Sequence, residues 1–280
     1  MNKPHYKHTP KGPVIQNRYD AAGQGRRMAG WQPPGGGPNS DLDGIAVIRR
    51  RLVDAISNEW AAKSIVEKWT TTLIGVGVTA RFPDQPRLTA LWKKHIAECD
   101  ADGVYDLFGL QTLATNVFVG LGESFTRARY RRANSGLSVP VQYQVMEPQM
   151  LPMLDADTWT GLPAGHIIRC GIELDRSRQR SAYWFHKDHP GDRARSTSLD
   201  PTGLIRVPAE DVAHMYEPRR PGALRGVGDI TTSLPTMRDT SDYADAVLLR
   251  QKLSNLFVAF IKRVAPNIGE DPFSGDKVRE

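Results

Sequence analysis

The sequence has only two cysteines, Cys99 and Cys170, among 280 residues. They stand far apart and outside any metal-ligand spacing, so we expect reduced thiols in a cytosolic protein rather than a disulfide framework. The sequence also lacks an apolar run of the roughly 20 residues that a membrane-spanning helix needs. Its basic N-terminal segment has no apolar core of the kind found in secretory signals. We therefore expect no membrane partner.

Signatures of catalysis are also missing. Gly75-Val76-Gly77 and Gly226-Val227-Gly228 are isolated Gly-x-Gly pairs without the rest of a phosphate-binding loop. No serine stands between Gly120 and Gly122, as a nucleophile elbow would require. The sequence therefore offers no convergent set of acid, base and nucleophile.

Two groups of residues keep an enzyme as an alternative. His214 follows Asp211 on a predicted strand, and the segment 186–192 holds two histidines and two aspartates in a predicted loop. A histidine that satisfies a turn and a solvated polar loop are the favoured interpretations. Asp100 and Asp102 alternate as in a calcium loop, but the remaining ligands of such a loop are absent, which favours a turn. The sequence thus predicts no enzyme, no metal site and no cofactor.

Positive charge is concentrated at the N-terminal end of the chain. Residues 1–51 carry nine Lys or Arg and three acids, which accounts for the whole net charge of +6. A basic arm of this kind is typical of contact with nucleic acid or with an acidic protein face. A solvated tail without a partner is the alternative, because the charges are sparse rather than in blocks.

Hydrophobic periodicity predicts an α+β fold that is rich in helices, with short antiparallel strand pairs and a long C-terminal helix. Ser40 or Asp41 is the predicted cap of the first helix. The predicted helices lie within 42–56, 59–73, 86–98, 105–120 and 239–263, and the one at 105–120 is expected to be central and buried. The predicted strands lie within 78–82, 122–131, 139–145, 166–174, 180–186 and, around a turn at 208–211, 205–215.

Composition divides the chain into four segments. Residues 1–40 are predicted to be a basic, disordered arm, because this stretch has many Gly and Pro and no periodicity. Residues 41–225 are predicted to form the α+β body, 226–263 a long helical segment interrupted at Pro235, and 264–280 a loop-like tail. The long helix is apolar on several sides, which is typical of a helix that packs against more than one partner.

Arginines at three positions alternate along the predicted strand at 122–131. Arg127, Arg129 and Arg131 should share one face of this strand, because successive side chains of a strand point to opposite faces. Such a face could meet DNA or a neighbouring subunit, and an exposed, solvated sheet face is the simpler alternative.

Several motifs occur in an order that resembles the portal proteins of lambda-type tailed phages. The last and longest is VPAEDVAHMYEPRRPGALRGVGDI, which begins at Val207. Before it come an arginine-rich helix (IRRRLVDAISN), a Gly-Val-Gly turn (LIGVGV), the series Asp100, Gly103, Asp106, Leu110 and Gln111, and the segments GLGESFTR and CGIELDRSRQRSAYWFH. Each motif alone is modest, and their order and spacing together make the resemblance specific.

The resemblance implies a structural protein with a wing-like body that forms a dodecameric ring at one capsid vertex. It implies a channel for double-stranded DNA without sequence specificity, in the virion and, during assembly, in the host cytoplasm. The implied partners are other copies of the chain, the terminase large subunit, a head–tail connector protein and the major capsid protein. The candidates for contact with DNA or with a neighbouring subunit are Arg49, Arg50, Arg51, Arg127, Arg129, Arg131, Arg219, Arg220 and Arg225.

The chain departs from the family pattern at a few places. Glu59-Trp60 stands where the family usually has Asn-Pro, Leu224 replaces a Gln, and Gly228 stands for a Pro. Family chains also continue well beyond residue 280, so this chain could be a fragment, one half of a split gene or an inactive prophage remnant. A nucleic-acid-binding protein that uses the basic arm without forming a ring is a further alternative.

Overall fold

In the part of the chain that the structure describes, four helices come first, and two sheets and a last helix follow them. A computed structural model describes Gly30 and residues 35–192 and 203–264, with side chains up to Asn255. The helices are α1 (Ile45–Asn58), α2 (Trp60–Ile74), α3 (Pro86–Glu98), α4 (Leu107–Leu121) and α5 (Leu234–Val264). The strands are β1 (Glu123–Tyr130), β2 (Val141–Met146), β3 (Ile167–Arg169), β4 (Ile172–Leu174), β5 (Arg180–His186), β6 (Leu204–Pro208) and β7 (Val212–Tyr216). The predicted α+β fold is confirmed.

The ends of α4 show how local chemistry sets helix boundaries. The Asp106 side chain accepts a hydrogen bond from the Gly109 backbone N–H at 2.8 Å and so satisfies a free donor of the first turn. At the other end, Gly122 adopts a left-handed conformation with φ of 90°, which glycine reaches without steric cost. The helix is therefore stopped one residue before β1 begins.

The two antiparallel sheets have the strand orders β2-β1-β7 and β3-β4-β5-β6. Strands β6 and β7 are neighbours in sequence but belong to different sheets, and the short 3-10 turn Ala209–Asp211 connects them. One hydrophobic cluster contains side chains of both sheets, including the fully buried Phe125, Ile172 and Phe185. The two sheets therefore share one core.

Helix α4 is the central helix that the sequence predicts. It contacts α2 and β1, and Leu110, Ala114 and Val119 are buried. A second hydrophobic cluster joins α1, α2, α4 and the 3-10 turn Asp229–Ser233 before α5 through Leu52, Val66, Val119, Leu121 and Ile230. The helices are thus attached to the sheets through α4.

Two predicted strands are wrong. Residues 78–82 form no strand, because the backbone of Val78 bonds to the side chain of Gln111 on α4 instead of to another strand. The predicted strand at 166–174 is split into β3 and β4 by a two-residue turn at Cys170 and Gly171, whose φ values are 52° and 80°. Positive φ at both residues suits the right-handed twist of a hairpin. The sequence did not predict this turn, because a Cys-Gly pair inside an apolar run is a weak turn signal.

Two predicted helix boundaries are also wrong. Helix α1 begins after Gly44, and Ser40 belongs to a separate 3-10 turn, Ser40–Leu42, so neither Ser40 nor Asp41 caps α1. Pro235 does not interrupt the last helix, which is continuous from residue 234. A proline in the first turn of a helix removes no hydrogen bond, because the first N–H groups have no partner within the helix.

Helix α5 leaves the rest of the fold soon after it starts. Leu234 and Met237 pack against the second hydrophobic cluster, whereas every residue from Asp242 to Asn255 is exposed. None of the described helices is both long and apolar enough to span a membrane. The predicted arm at 1–40 and tail at 264–280 lie mostly outside the described residues, and the predicted segment borders remain predictions.

Candidate functional site

Glu123, the first residue of β1, lies at the centre of a buried polar network. Its side chain has no exposed surface. One carboxylate oxygen accepts hydrogen bonds from Arg49 Nη2 at 2.5 Å and Arg225 Nε at 2.8 Å. The other accepts from the Gly226 backbone N–H at 2.9 Å and lies 3.0 Å from His214 Nε2. This one carboxylate therefore connects α1, β1, β7 and the loop that precedes α5.

All three nitrogens of the Arg225 guanidinium group donate hydrogen bonds inside the protein. Besides the contact with Glu123, it donates to the backbone oxygens of Cys170 at 2.8 Å, Pro148 at 3.0 Å and Leu151 at 3.2 Å. The planar group with five donors matches this arrangement, which a lysine ammonium could not reproduce. Arg225 thus connects both sheets with the loop before α5.

His214 is held between a carboxylate and a guanidinium group. Arg180 Nη1 lies 2.8 Å from the ring Nδ1, and a guanidinium can only donate, so Nδ1 accepts and Nε2 donates to Glu123. Burial lowers the pKa of His214, and the charges of Arg180 and Arg225 lower it further, while Glu123 opposes them. The ring is therefore neutral in this network. It also stacks between Phe125 and Tyr216, with centroids 4.3 Å away on each side.

The network keeps Glu123 ionised although it is buried. Burial alone would raise the pKa of Glu123, but Arg225, His214 and Arg49 together hold it well below its usual value. Burial lowers the pKa of Arg49 to about 10, which still leaves it charged at neutral pH. A carboxylate whose oxygens are all engaged by protein donors is suited to a structural connection and poorly suited to proton transfer.

The glycines of the loop before α5 allow a very close backbone approach to the end of α4. A Cβ atom at Gly226 would lie 2.1 Å from the Gly122 backbone oxygen, and one at Gly122 would lie 2.2 Å from the Gly228 backbone nitrogen. No side chain fits at either position without displacement of the backbone. Gly226-Val227-Gly228 is therefore a packing motif here and not a phosphate-binding loop.

A second buried carboxylate, Glu173 on β4, has its own set of donors. Arg206 binds both of its oxygens, at 2.8 and 2.9 Å, and Trp184 Nε1 donates to it at 3.2 Å. His166 Nδ1 lies 2.8 Å away. Burial would raise the pKa of Glu173, but these partners lower it. This group connects β4, β5 and β6 with His166, which directly precedes β3.

Arg127 and Arg129 of β1, and Arg131 directly after its end, continue the alternation that begins with Glu123 and Phe125. Arg129 donates to Gln144 at 3.2 Å, and Arg131 donates to Gln142 at 2.8 Å, so two amides of β2 hold them. Arg127 has a buried Nε without a hydrogen-bond partner among the described residues. Burial lowers the pKa of Arg127, and the nearby charge of Arg129 adds to this effect. We call Arg127, Arg129 and Arg131 the arginine belt.

No carboxylate within the described part of the chain forms an ion pair with the arginine belt, and Asp211 is the acid whose charge acts on Arg127. All three residues are half-buried. Glutamine amides orient a guanidinium group without neutralising it. The belt therefore carries three positive charges on the face of one sheet.

The remaining candidate arginines are distributed over three places. Arg49 and Arg225 are buried on Glu123, so their guanidinium groups do not reach the surface for DNA or a neighbouring subunit in this conformation. Arg50 and Arg51 are exposed on α1. Arg219 is paired with Asp229 at 2.7 Å, and Arg220 is exposed in the same loop. Surface contact is therefore left to Arg50, Arg51, Arg219, Arg220 and the arginine belt.

The residues considered for catalysis or metal binding do not come together. His214 bonds Glu123 and Arg180 rather than Asp211. His189 lies 3.4 Å from Glu147, and across residues 35–192 and 203–255 no group of three His, Cys, Asp or Glu side chains could hold a metal ion. Asp100 accepts backbone N–H bonds from Asp102, Val104 and Tyr105, which is the turn that the sequence favours over a calcium loop.

Sequence reasoning missed Glu123 and Glu173 as the organising residues. Glu173 stands within the short apolar strand β4, and Glu123 stands between the apolar helix α4 and the buried Phe125, where an acid is out of place unless it is paired. That mismatch was the available signal. The arginine partners come from residues 33 to 102 positions away, so the pairing itself could not be recognised from local sequence.

Comparison with known proteins gives two matches. The model of the family "Phage portal protein, lambda family" matches residues 24–279. The protein named "Probable portal protein" of Halomonas phage phiHAP-1 is 26% identical over 191 residues, which are 66% of this chain and 35% of that protein. The chain thus spans about a third of the length of this relative.

Proposed function

Because the chain belongs to the lambda family of phage portal proteins, we propose that it is a structural portal subunit. Identical copies form a ring, dodecameric by family resemblance, at one vertex of the capsid. Double-stranded DNA passes through the central channel during packaging and ejection. The proposed location is the virion, and the host cytoplasm during assembly. We propose no catalytic activity.

The observation that carries this proposal is the family match over 24–279, and the geometry of the chain agrees with it. Among the described residues, the two buried carboxylates Glu123 and Glu173 connect structural elements through their arginine partners. A channel must contact the phosphate backbone without base readout, which requires positive charge rather than shaped donors. The arginine belt and the exposed Arg50 and Arg51 supply such charge.

The proposed partners follow from the same role. A portal ring must be held in the shell by the major capsid protein. During packaging it binds the terminase large subunit, and afterwards a head–tail connector protein. The exposed loop with Arg219 and Arg220 and the exposed faces of α1 and α2 are the surfaces on which we place such contacts.

The test of the proposed function is the mass and shape of the purified 280-residue chain. Native mass measurement should give one high oligomer, and negative-stain images should show rings with a central hole. Arg49→Lys changes a buried residue and therefore tests folding. Arg50→Gln changes an exposed residue and therefore tests the surface contacts of the folded chain. A folded protein that stays monomeric at high concentration would contradict the ring for this chain.

A second candidate function rests on the charge of the N-terminal segment. Residues 1–51 carry the whole net charge of +6, which favours a nucleic-acid-binding protein without a ring. That protein would bind duplex DNA as a monomer, with a steep salt dependence, and would lose binding when residues 1–40 are removed. A ring that persists after the same deletion would favour the portal instead. A chain that forms no ring and binds no DNA would match an inactive remnant.

A further inference from the structure

The long helix α5 extends away from the fold as an arm that lacks a partner among the described residues. Its first two turns pack on the second hydrophobic cluster, and from Asp242 to Asn255 every residue is exposed. Leu248 and Leu249 are 58% and 59% exposed, and Leu253 is 46% exposed. A helix with bulky apolar side chains on several sides is stable only when another element covers it. We call residues 246–255 the α5 arm.

A cleft lies at the other end of the same helix. It has a volume of about 620 Å³ and separates the first turn of α2 from the first three turns of α5. The α5 wall consists mostly of small side chains, and Trp60, 81% exposed, stands on the α2 wall. Small residues on one wall and an exposed aromatic on the other make room for bulky side chains from outside. We call this the α5-base cleft.

The charges of the two surfaces are opposite. The α5 arm contains Arg250 and Lys252 and no acidic residue. Two acids, Glu59 and Asp245, line the cleft, and Asp239 and Asp242 stand on the same stretch of α5 outside its lining. Among the described side chains, Glu59 and Asp245 have no ion-pair partner, and neither have Arg250 and Lys252. Only Asp242 is paired, with Arg238 at 3.4 Å.

We propose that the α5 arm of one subunit occupies the α5-base cleft of the next subunit. The arm supplies apolar side chains and positive charge, and the cleft supplies space and negative charge. The two surfaces lie at different places on one chain, so the contact is heterologous and propagates from subunit to subunit. A propagating contact of this kind produces a closed ring when its rotation closes. The inference rests on the proposed ring and names the contact that builds it.

Charge reversal tests the electrostatic part of the proposal. Asp245→Lys in the cleft and Arg250→Glu on the arm should each weaken self-association by at least about 10-fold, because each places like charges opposite one another. The two changes together should restore association to within about 3-fold, as expected for residues that contact each other. Both positions are exposed, so the fold should be unchanged. Single variants that associate like the original chain would overturn the proposal.

Disulfide trapping tests the geometry in the full chain. Ala244→Cys in the cleft is combined in turn with Leu249→Cys, Arg250→Cys, Lys252→Cys and Leu253→Cys on the arm. Positions 244 and 253 of one helix lie about 13.5 Å apart along the axis, and a disulfide requires Cα atoms within about 7 Å, so a bond between them must join two chains. The native Cys99 and Cys170 are buried and should not interfere.

We expect at least one double-cysteine protein of this scan to give a ladder of covalent dimers, trimers and larger species under mild oxidation. Each single-cysteine protein should stay monomeric on a denaturing gel. The matched control pairs Leu253→Cys with Lys68→Cys, an exposed position on α2 outside the cleft, and should not cross-link. Covalent dimers of a single-cysteine arm variant would show arm-to-arm packing and would overturn the proposal.

Native mass measurement of the same samples separates this inference from the proposed function. Closed rings without any cross-link in the scan would overturn the arm-to-cleft contact and leave the portal ring in place. Cross-linked open filaments would support the contact and contradict a closed ring. A monomer without cross-links would overturn the contact and would favour a partner of different sequence on the arm.

Discussion

Glu123 and Arg225 form an ion pair in which neither side chain has any exposed surface, with Arg225 Nη2 and Glu123 Oε1 2.7 Å apart. All seven described strands lie in the sequence from Glu123 to Arg225. Their contact fixes the loop before α5 against the first residue of β1, and Gly226 bonds the same carboxylate. The direction in which α5 leaves the fold therefore depends on this pair.

Replacement of Glu123 by glutamine should strongly destabilise the protein. Glu123→Gln keeps the size of the side chain but leaves Arg49 and Arg225 buried without a negative partner. Such a loss costs roughly 3–5 kcal/mol of unfolding free energy. Urea denaturation followed by circular dichroism measures it. The matched control is Glu67→Gln in an exposed pair with Lys63, which should change stability by less than about 0.5 kcal/mol. A similar effect of both variants would contradict the structural role of Glu123.

Two glycines with nearly the same backbone conformation should respond differently to alanine. Gly122 and Gly136 have φ of 90° and 80°, but a Cβ at Gly122 would meet the Gly228 nitrogen at 2.2 Å, whereas at Gly136 nothing lies within 4 Å. Gly136→Ala should cost about 1–2 kcal/mol for its left-handed backbone alone. Gly122→Ala should cost at least about 2 kcal/mol more, because the loop must move. Equal melting temperatures would show that the close approach is absent in solution.

Stability should fall as pH falls, in two steps. The pKa values of His214 and Glu123 are both lowered in the folded chain, so the unfolded chain binds more protons and stability is lost towards acid. The loss should begin below about pH 6.5 for the histidine and continue below about pH 4.3 for the carboxylate, the usual values of the unfolded groups. His95 and His186, whose pKa values burial also lowers, add to the first step.

His214→Gln isolates the contribution of this histidine. Glutamine can donate to Glu123 and accept from Arg180 but does not titrate. The urea midpoint of the variant should therefore vary less between pH 7.5 and 5.5 than that of the original chain, whatever its absolute value. Identical pH slopes would assign the first step to the other histidines.

The arginine belt should contribute to DNA binding in a way that depends on salt and not on sequence. If Arg129 and Arg131 each contact a phosphate, Arg129→Gln with Arg131→Gln should reduce the slope of log K against log salt by about 1.8. Fluorescence anisotropy with two duplexes of unrelated sequence measures the slope. Lys63→Gln, which removes an exposed charge on α2, should leave it unchanged. An unchanged slope in the double variant, with association impaired, would make the belt a subunit contact.

Local patterns were enough to predict much of the fold. The alternation along 122–131 predicted β1, and the apolar spacing along 86–98 and 105–120 predicted α3 and α4. Order and spacing of motifs also indicated the family, which the match over 24–279 confirms. These features depend on side chains a few positions apart, so the sequence displays them directly.

The functional assignment of individual arginines could not be made in the same way. Arg49 and Arg50 are adjacent in an arginine-rich helix, yet Arg49 is buried on Glu123 and Arg50 is exposed. Helix geometry separates adjacent residues by about 100°, and only the packing of α1 decides which one points inward. Arg219 and Arg225 lie in one loop, where Arg219 is exposed and Arg225 is buried, and the sequence shows no local pattern that separates them.

By itself the sequence determined the class of fold, most of its elements, the family and the uneven distribution of charge, because these follow from periodicity and composition. Only the tertiary structure decided that the loop with Arg225 connects the sheets to the helices, that β6 and β7 belong to different sheets, and that α5 leaves the fold uncovered. Those features depend on contacts such as that of Glu123 with residues up to 103 positions away. A contact over such a distance leaves no periodic trace in the sequence.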